Sequence, residues 1–171
     1  MLRFMPPSDR PAVQRMQPPK APYDVVNSVL RWVLSSPRRA SGVGKHLMLL
    51  HLSGRKTGRM INVPVAYREA PDGRLLVLTS SVWRVNLRER PDVEITLRGL
   101  RLPARAELVE DVNAVAQVYG ALIHEMGHAK AGRQMGIRIN VDRAPTPEEL
   151  VEAARRDRLS LVYLQVAGTA R

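Results

Sequence analysis

Two short constellations in this chain have residue types and spacing that could do chemistry. The first is Gly54-Arg55-Lys56-Thr57-Gly58-Arg59, held between the apolar runs 47–52 and 60–67. Gly54 and Gly58 free the backbone for a tight turn with φ > 0. Amides and the Thr57 hydroxyl can then converge on phosphate oxygens while Arg55, Lys56 and Arg59 supply charge. In a basic protein the same turn also serves as a plain solvated hairpin tip, and spacing alone leaves both readings open. The second is His124-Glu125-Met126-Gly127-His128, a His-Glu-x-x-His pattern. In zinc peptidases that pattern sets two imidazoles one helical turn apart, with the carboxylate as general base. Helical projection puts both histidines opposite the apolar stripe Val115, Tyr119, Leu122 and Met126. The candidate third ligands Glu148 and Glu149 lie about 20 residues on, and Ala129-Lys130-Ala131-Gly132 lacks the Gly-x-x-His continuation of one peptidase group. A zinc hydrolase is therefore the remote alternative. The expectation is two histidines on an exposed helix rim and no metal.

Composition narrows the field further. The 171 residues suffice for one domain with a real core. No cysteine is present, which removes disulfides, thiolate metal sites and cysteine nucleophiles, so redox chemistry has to come from a bound cofactor. A formal charge of +11 would suit nucleic acid, yet one Phe, two Trp and four Tyr are too few to build a stacking platform. The arginines are also dispersed, so no nucleic-acid partner is expected. A basic surface serves equally to attract an anionic cofactor or an anionic membrane. The chain has no run of about 18 apolar residues and no secretory signal, and a cytoplasmic protein is expected.

The elements that must position the hairpin follow from periodicity. Residues 1–22 hold six of the thirteen prolines and are expected to form a Pro-rich flexible tail, leaving 23–171 as a single domain. From Asp24, a candidate N-cap, Val25, Val26, Val29, Leu30 and Val33 recur at helical spacing. This helix, 24–34, is expected to pack on a sheet. Its other reading is a peripheral membrane contact with Arg31, Arg38 and Arg39 at the headgroups. Strands are expected over 46–52, 60–68, 74–80, 93–98 and 101–109, a close spacing that suggests a small barrel. A long amphipathic helix follows from Asn113 to Lys130. A second helix opens with the capping-box pattern Thr146-Pro147-Glu148-Glu149, and a closing strand runs over 159–166.

Four features occur in order: the Gly-Arg-Lys-Thr-Gly hairpin, a strand ending Thr79-Ser80-Ser81, Trp83 followed by Asn86-Leu87, and Arg90-Pro91-Asp92-Val93. This series, set within Asp24 to Val166, resembles the deazaflavin-dependent nitroreductase family. The resemblance implies an α+β, mainly β fold: a split β-barrel of the FMN-binding kind with a short N-terminal helix and two helices in the C-terminal half. It implies coenzyme F420 as cofactor, with FMN as the alternative. The activity implied is hydride transfer from reduced deazaflavin to a small-molecule acceptor such as a quinone, an enone or a nitro compound. By the same resemblance Arg55, Lys56 and Thr57, with Arg59 close by, would hold the phosphate-bearing tail. Thr79, Ser80 and Ser81 would lie along the ring, and Trp83 would flank it. Asn86 and Leu87 would anchor the following helix turn. A homodimer is a further expectation. No proton donor is assignable, since Tyr119 falls on the apolar stripe and Tyr67 reads equally as packed.

Two departures from the family pattern stand out. Only Val82 separates Ser81 from Trp83 where the family often has a longer glycine-containing loop, and Trp83-Arg84-Val85 replaces an adjacent aromatic pair. They keep open an FMN- or deazaflavin-binding module without turnover.

Overall fold

Continuous or alternating apolar runs, punctuated by Gly and Pro, set most of the strands. The computed structural model describes residues 10–16, 23–40 and 46–168. Its elements run β1 (Val13–Arg15), α1 (Tyr23–Leu34), α2 (Pro37–Ala40), β2 (Leu47–Ser53), β3 (Met60–Ala66), β4 (Arg68–Glu69), β5 (Leu75–Thr79) and a 3-10 helix (Val82–Leu87). They continue with β6 (Asp92–Leu97), β7 (Leu100–Val109), α3 (Val112–Met126), α4 (His128–Met135), β8 (Ile137–Ile139), α5 (Pro147–Asp157) and β9 (Ser160–Val166). The described residues form two compact units, one within 23–109 together with 161–168, the other 10–16 together with 110–160.

The first unit is built on a seven-stranded sheet in the order β3-β2-β6-β7-β9-β5-β4. The ladders β2–β3, β2–β6, β6–β7, β7–β9 and β4–β5 are antiparallel. Register sets Leu50 opposite Val63 on one side and Ile95 on the other. Met48, Leu50 and Leu52 thereby meet Val93, Ile95, Ala104, Ala106, Val162 and Leu164 in one core, and Val77 of β5 joins them. Each buried Leu or Ile there contributes about 1.5–3 kcal/mol. The sheet curls until its end strand β3 contacts β5, which gives the split-barrel form expected from the sequence. On β2 the alternate residues Leu49 and His51 take the opposite face, and α1 packs against β2 and β3.

In the second unit β1 pairs antiparallel with β8, Val13 opposite Ile139. Val13 is 1% exposed, and Asp157 accepts the Arg15 N–H at 2.8 Å. The tail expected over 1–22 therefore does not describe residues 13–15. One apolar side chain in a Pro-rich setting acquires a partner 126 residues away, too remote for local pattern to reveal. The rest of that expected tail lies outside the described residues apart from 10–12 and Met16. The helix expected from Asn113 to Lys130 is two helices. Gly127, at φ +80° and ψ 139°, ends α3, and α4 restarts at His128. The buried face of α3 is Val115, Ala116, Tyr119 and Ile123, while Leu122 and Met126 are half-buried. The capping box of α5 forms as expected: Thr146 Oγ1 accepts the Glu149 N–H at 3.3 Å and Glu149 Oε2 accepts the Thr146 N–H at 2.8 Å. No described helix is long and apolar enough to cross a membrane.

Candidate functional site

The β2–β3 hairpin tip is closed by its own backbone. Gly54 N–H donates to Arg59 O and Gly58 N–H to Gly54 O, each at 2.8 Å, with Gly58 at φ +68°. Thr57 Oγ1 accepts the Arg59 N–H at 3.3 Å, which leaves the hydroxyl proton for an incoming oxygen. The side chains of Arg55, Lys56 and Arg59 are exposed, and none is engaged in an ion pair among the described residues. Three cations within five residues, on a turn whose backbone is already ordered, can grip an anion at small entropic cost.

A second element fixes where that turn sits. Asn86, in the 3-10 helix, accepts the Arg55 N–H on Oδ1 at 2.7 Å and donates from Nδ2 to Trp83 O at 2.8 Å. Asn86, expected to anchor only the helix turn, thus also holds the hairpin. Arg90 Nη1 also reaches Gly54 O at 3.5 Å.

Trp83, half-buried, lines a cavity of about 440 Å³ between β3 and β5. Thr79 and Ser81 form its polar end, Asn62 lies on its β3 side, and Pro64 and Val77 are among its apolar walls. Thr79 is 9% exposed and its Oγ1 accepts the Ser81 N–H at 3.0 Å, so the strand end is locked by its own hydroxyl. Ser80 is not among the lining residues. Its carbonyl and that of Ser81 accept from Arg84 Nη1 at 3.4 and 2.8 Å. Arg84 is 5% exposed, a buried cation that sequence reasoning treated only as a gap in an aromatic pair. Its signal was indirect: carbonyls crowd at a strand-to-helix corner, and a guanidinium satisfies several of them at once.

Thr79, Ser81 and Trp83 thus share one cavity, and Arg55, Lys56, Thr57 and Arg59 share a turn tied to it through Asn86. The described lining residues mix polar and apolar groups and include no ionisable side chain, so they can bind and orient a ligand but offer it no side-chain acid or base.

The other candidates fall elsewhere. Gly127 separates His124 from His128, so the two do not sit one turn apart on a continuous helix. His124 is exposed, and His128 Nε2 lies 3.6 Å from Asp142 Oδ1. Tyr119 is 2% exposed, and burial pushes its phenol well above the usual range. Tyr67 is buried at 8%.

Comparison with known proteins bears on the same segment. The family described as F420H(2)-dependent quinone reductase matches residues 34–143, which hold the hairpin, the cavity strands and the 3-10 helix. No match is found among curated proteins. One similar solved structure is an F420-H2 dependent reductase, FDR-A, at 16% identity and TM-score 0.40, covering 70% of this chain and 94% of that one. Another is a pyridoxamine 5'-phosphate oxidase-related, FMN binding protein from Nostoc punctiforme PCC 73102. It is 14% identical with TM-score 0.47, covering 88% of this chain and 83% of that one. A third, described as a domain-swapped dimer, is 15% identical with TM-score 0.43, covering 85% of this chain and all of that one.

Proposed function

The chain belongs to the F420H(2)-dependent quinone reductase family, F420-dependent oxidoreductases, and on that premise we propose that the β3–β5 cavity and the tethered hairpin are its cofactor site. The residues present fit the group. A cavity that mixes Pro64, Val77 and Trp83 with Asn62, Thr79 and Ser81 suits a heteroaromatic ring with polar edges, and exposed cations on an ordered turn suit a phosphate-bearing acidic tail. Arg55, Lys56, Thr57 and Arg59 hold the tail. Thr79 and Ser81 meet the polar edge of the ring, with Ser80 acting through its backbone, and Trp83 flanks it. When bound, the reduced deazaflavin supplies a hydride to the acceptor, of which a quinone is the leading class and enones and nitro compounds are the others. The chain's own part is to position, to desolvate and to admit a proton. Among the described residues that line the cavity none carries an ionisable side chain, and no proton donor is assigned from them.

The observation that carries this reading is the Asn86 bridge, which joins the cationic turn to the Trp83 cavity. Its test is Arg55→Ala with Lys56→Ala. Hydrogen bonds involving a charged partner contribute about 1.5–3 kcal/mol each, so F420 should bind at least tenfold more weakly while folding survives. Wild-type affinity should fall as salt rises, and the double variant should be less salt-sensitive. An unchanged dissociation constant at low salt would make the turn only a turn. Peripheral membrane contact belongs to this proposal through the end of α1, where Trp32 is 60% exposed beside Arg31.

A further inference from the structure

The face of β2 turned away from the barrel core lies under α1, where helix-on-sheet packing calls for apolar side chains. Three polar residues from three strands share it with the buried Leu49. His51 Nδ1 lies 2.6 Å from Asn62 Oδ1, and His51 Nε2 lies 2.6 Å from Thr96 Oγ1. His51 and Thr96 are each only 7% exposed. An amide oxygen only accepts, so Nδ1 carries the proton. Nε2 faces the Thr96 hydroxyl, which can either donate or accept. This assignment uses the Asn62 oxygen and leaves its NH2 as the free hydrogen-bonding group of the cluster.

Above the three lies a cavity of about 390 Å³, with Arg31 from α1 and Arg101 from β7 in its lining and Gly99 at its edge. Arg101 pairs with Glu94 at 2.5 Å, and Arg31 Nη2 donates to Ser28 Oγ at 3.0 Å. Two guanidinium groups against one carboxylate leave the cavity cationic, and the Asn62 NH2 adds a neutral donor. The neighbours in sequence of two lining residues, Trp32 and Leu100, are each 60% exposed.

We propose that this cavity is a second, oxyanion-binding site, with Arg31 and Arg101 supplying charge and Asn62, oriented by His51, supplying a directed donor. Its ligand is a phosphate or carboxylate group, either free or as the headgroup of an amphiphile whose tail lies against Trp32 and Leu100. The site shares one lining residue, Asn62, with the β3–β5 cavity, and neither of its arginines lines that cavity.

Full-length protein labelled with nitrogen-15 is titrated with inorganic phosphate at constant ionic strength, and the His51 ring signals are followed by NMR. In parallel, binding to phosphatidylcholine vesicles is compared with binding to vesicles that also contain phosphatidylglycerol. A saturable His51 shift identifies a free oxyanion. Absence of that shift with phosphatidylglycerol-dependent vesicle binding identifies a headgroup. In either arm Arg31→Gln with Arg101→Gln should weaken binding at least tenfold, since two charged donors are lost. Arg98→Gln, an exposed cation outside the lining, should leave it unchanged. An F420 titration of the double variant should match wild type, which separates failure here from failure of the cofactor site. No His51 response together with vesicle binding indifferent to the double variant overturns the inference. Equal losses in the double variant and in Arg98→Gln overturn it too, because they mean diffuse surface charge.

Discussion

Asn86→Ala tests whether the two halves of the proposed cofactor site work as one. Asn86 holds the Arg55 amide at 2.7 Å and the Trp83 carbonyl at 2.8 Å, so the substitution deletes one bond to each half. A neutral hydrogen bond contributes about 0.5–1.5 kcal/mol net, which puts the loss of stability at about 1–3 kcal/mol. For a chain of this size that lowers Tm by roughly 2–4 °C per kcal/mol. The Arg55–Arg59 turn keeps its internal bonds but loses its tie to the 3-10 helix, so binding the cofactor tail must restore an alignment that the wild type holds in advance. Part of the same free energy then appears in affinity, and about a fivefold rise in the F420 dissociation constant corresponds to about 1 kcal/mol of it. Thermal melting and fluorescence titration on one preparation read both quantities. Asn86→Asp keeps the acceptor for Arg55 but loses the donor to Trp83 and adds a negative charge beside the turn, so it should not restore wild-type affinity. A lowered Tm with an F420 dissociation constant unchanged within about twofold would refute the coupling, because the tether would then serve the fold alone.

Three further outcomes are expected. Deleting residues 1–16 should lower stability, because Val13 is buried and Arg156 donates to its carbonyl; Val13→Ala alone should cost about 2 kcal/mol in chemical denaturation, and an unchanged midpoint would show β1 to be dispensable. Glu149 is held down to about 2 by hydrogen bonds from Arg143 and then by the Thr146 amide. Its folded value lies below its ordinary one, so its contribution is full above about pH 4.5 and is lost as pH falls towards 2. After solvent screening that contribution is about 1 kcal/mol, and Glu149→Gln should remove this part of the acid sensitivity in pH-dependent melts. His124→Ala with His128→Ala should change stability by no more than about 0.5 kcal/mol. A stoichiometric zinc in the wild type that is lost in this pair would overturn the reading of them as rim residues.

Much of this protein is decided locally and was legible in the sequence. The β2–β3 hairpin follows from two apolar runs around Gly54 and Gly58, and the α5 capping box from Thr146 and Glu149, since each depends on residues a few positions apart. The order of the hairpin, the Thr79 strand end and Trp83 was enough to point to the family that residues 34–143 match. Convergence across distant segments was not legible. The β1–β8 ladder rests on three residues whose pairing spans most of the chain, and no local period announces it. Gly127 could have continued the helix, and its turn to φ +80° was not local information. Arg84 reads as a surface cation until the corner around it supplies two carbonyls. His51, Asn62 and Thr96 are unremarkable one by one. Only strand register, which sets β2 between β3 and β6, brings an imidazole within hydrogen-bonding distance of both partners, because a slip of one residue would turn each side chain to the other face.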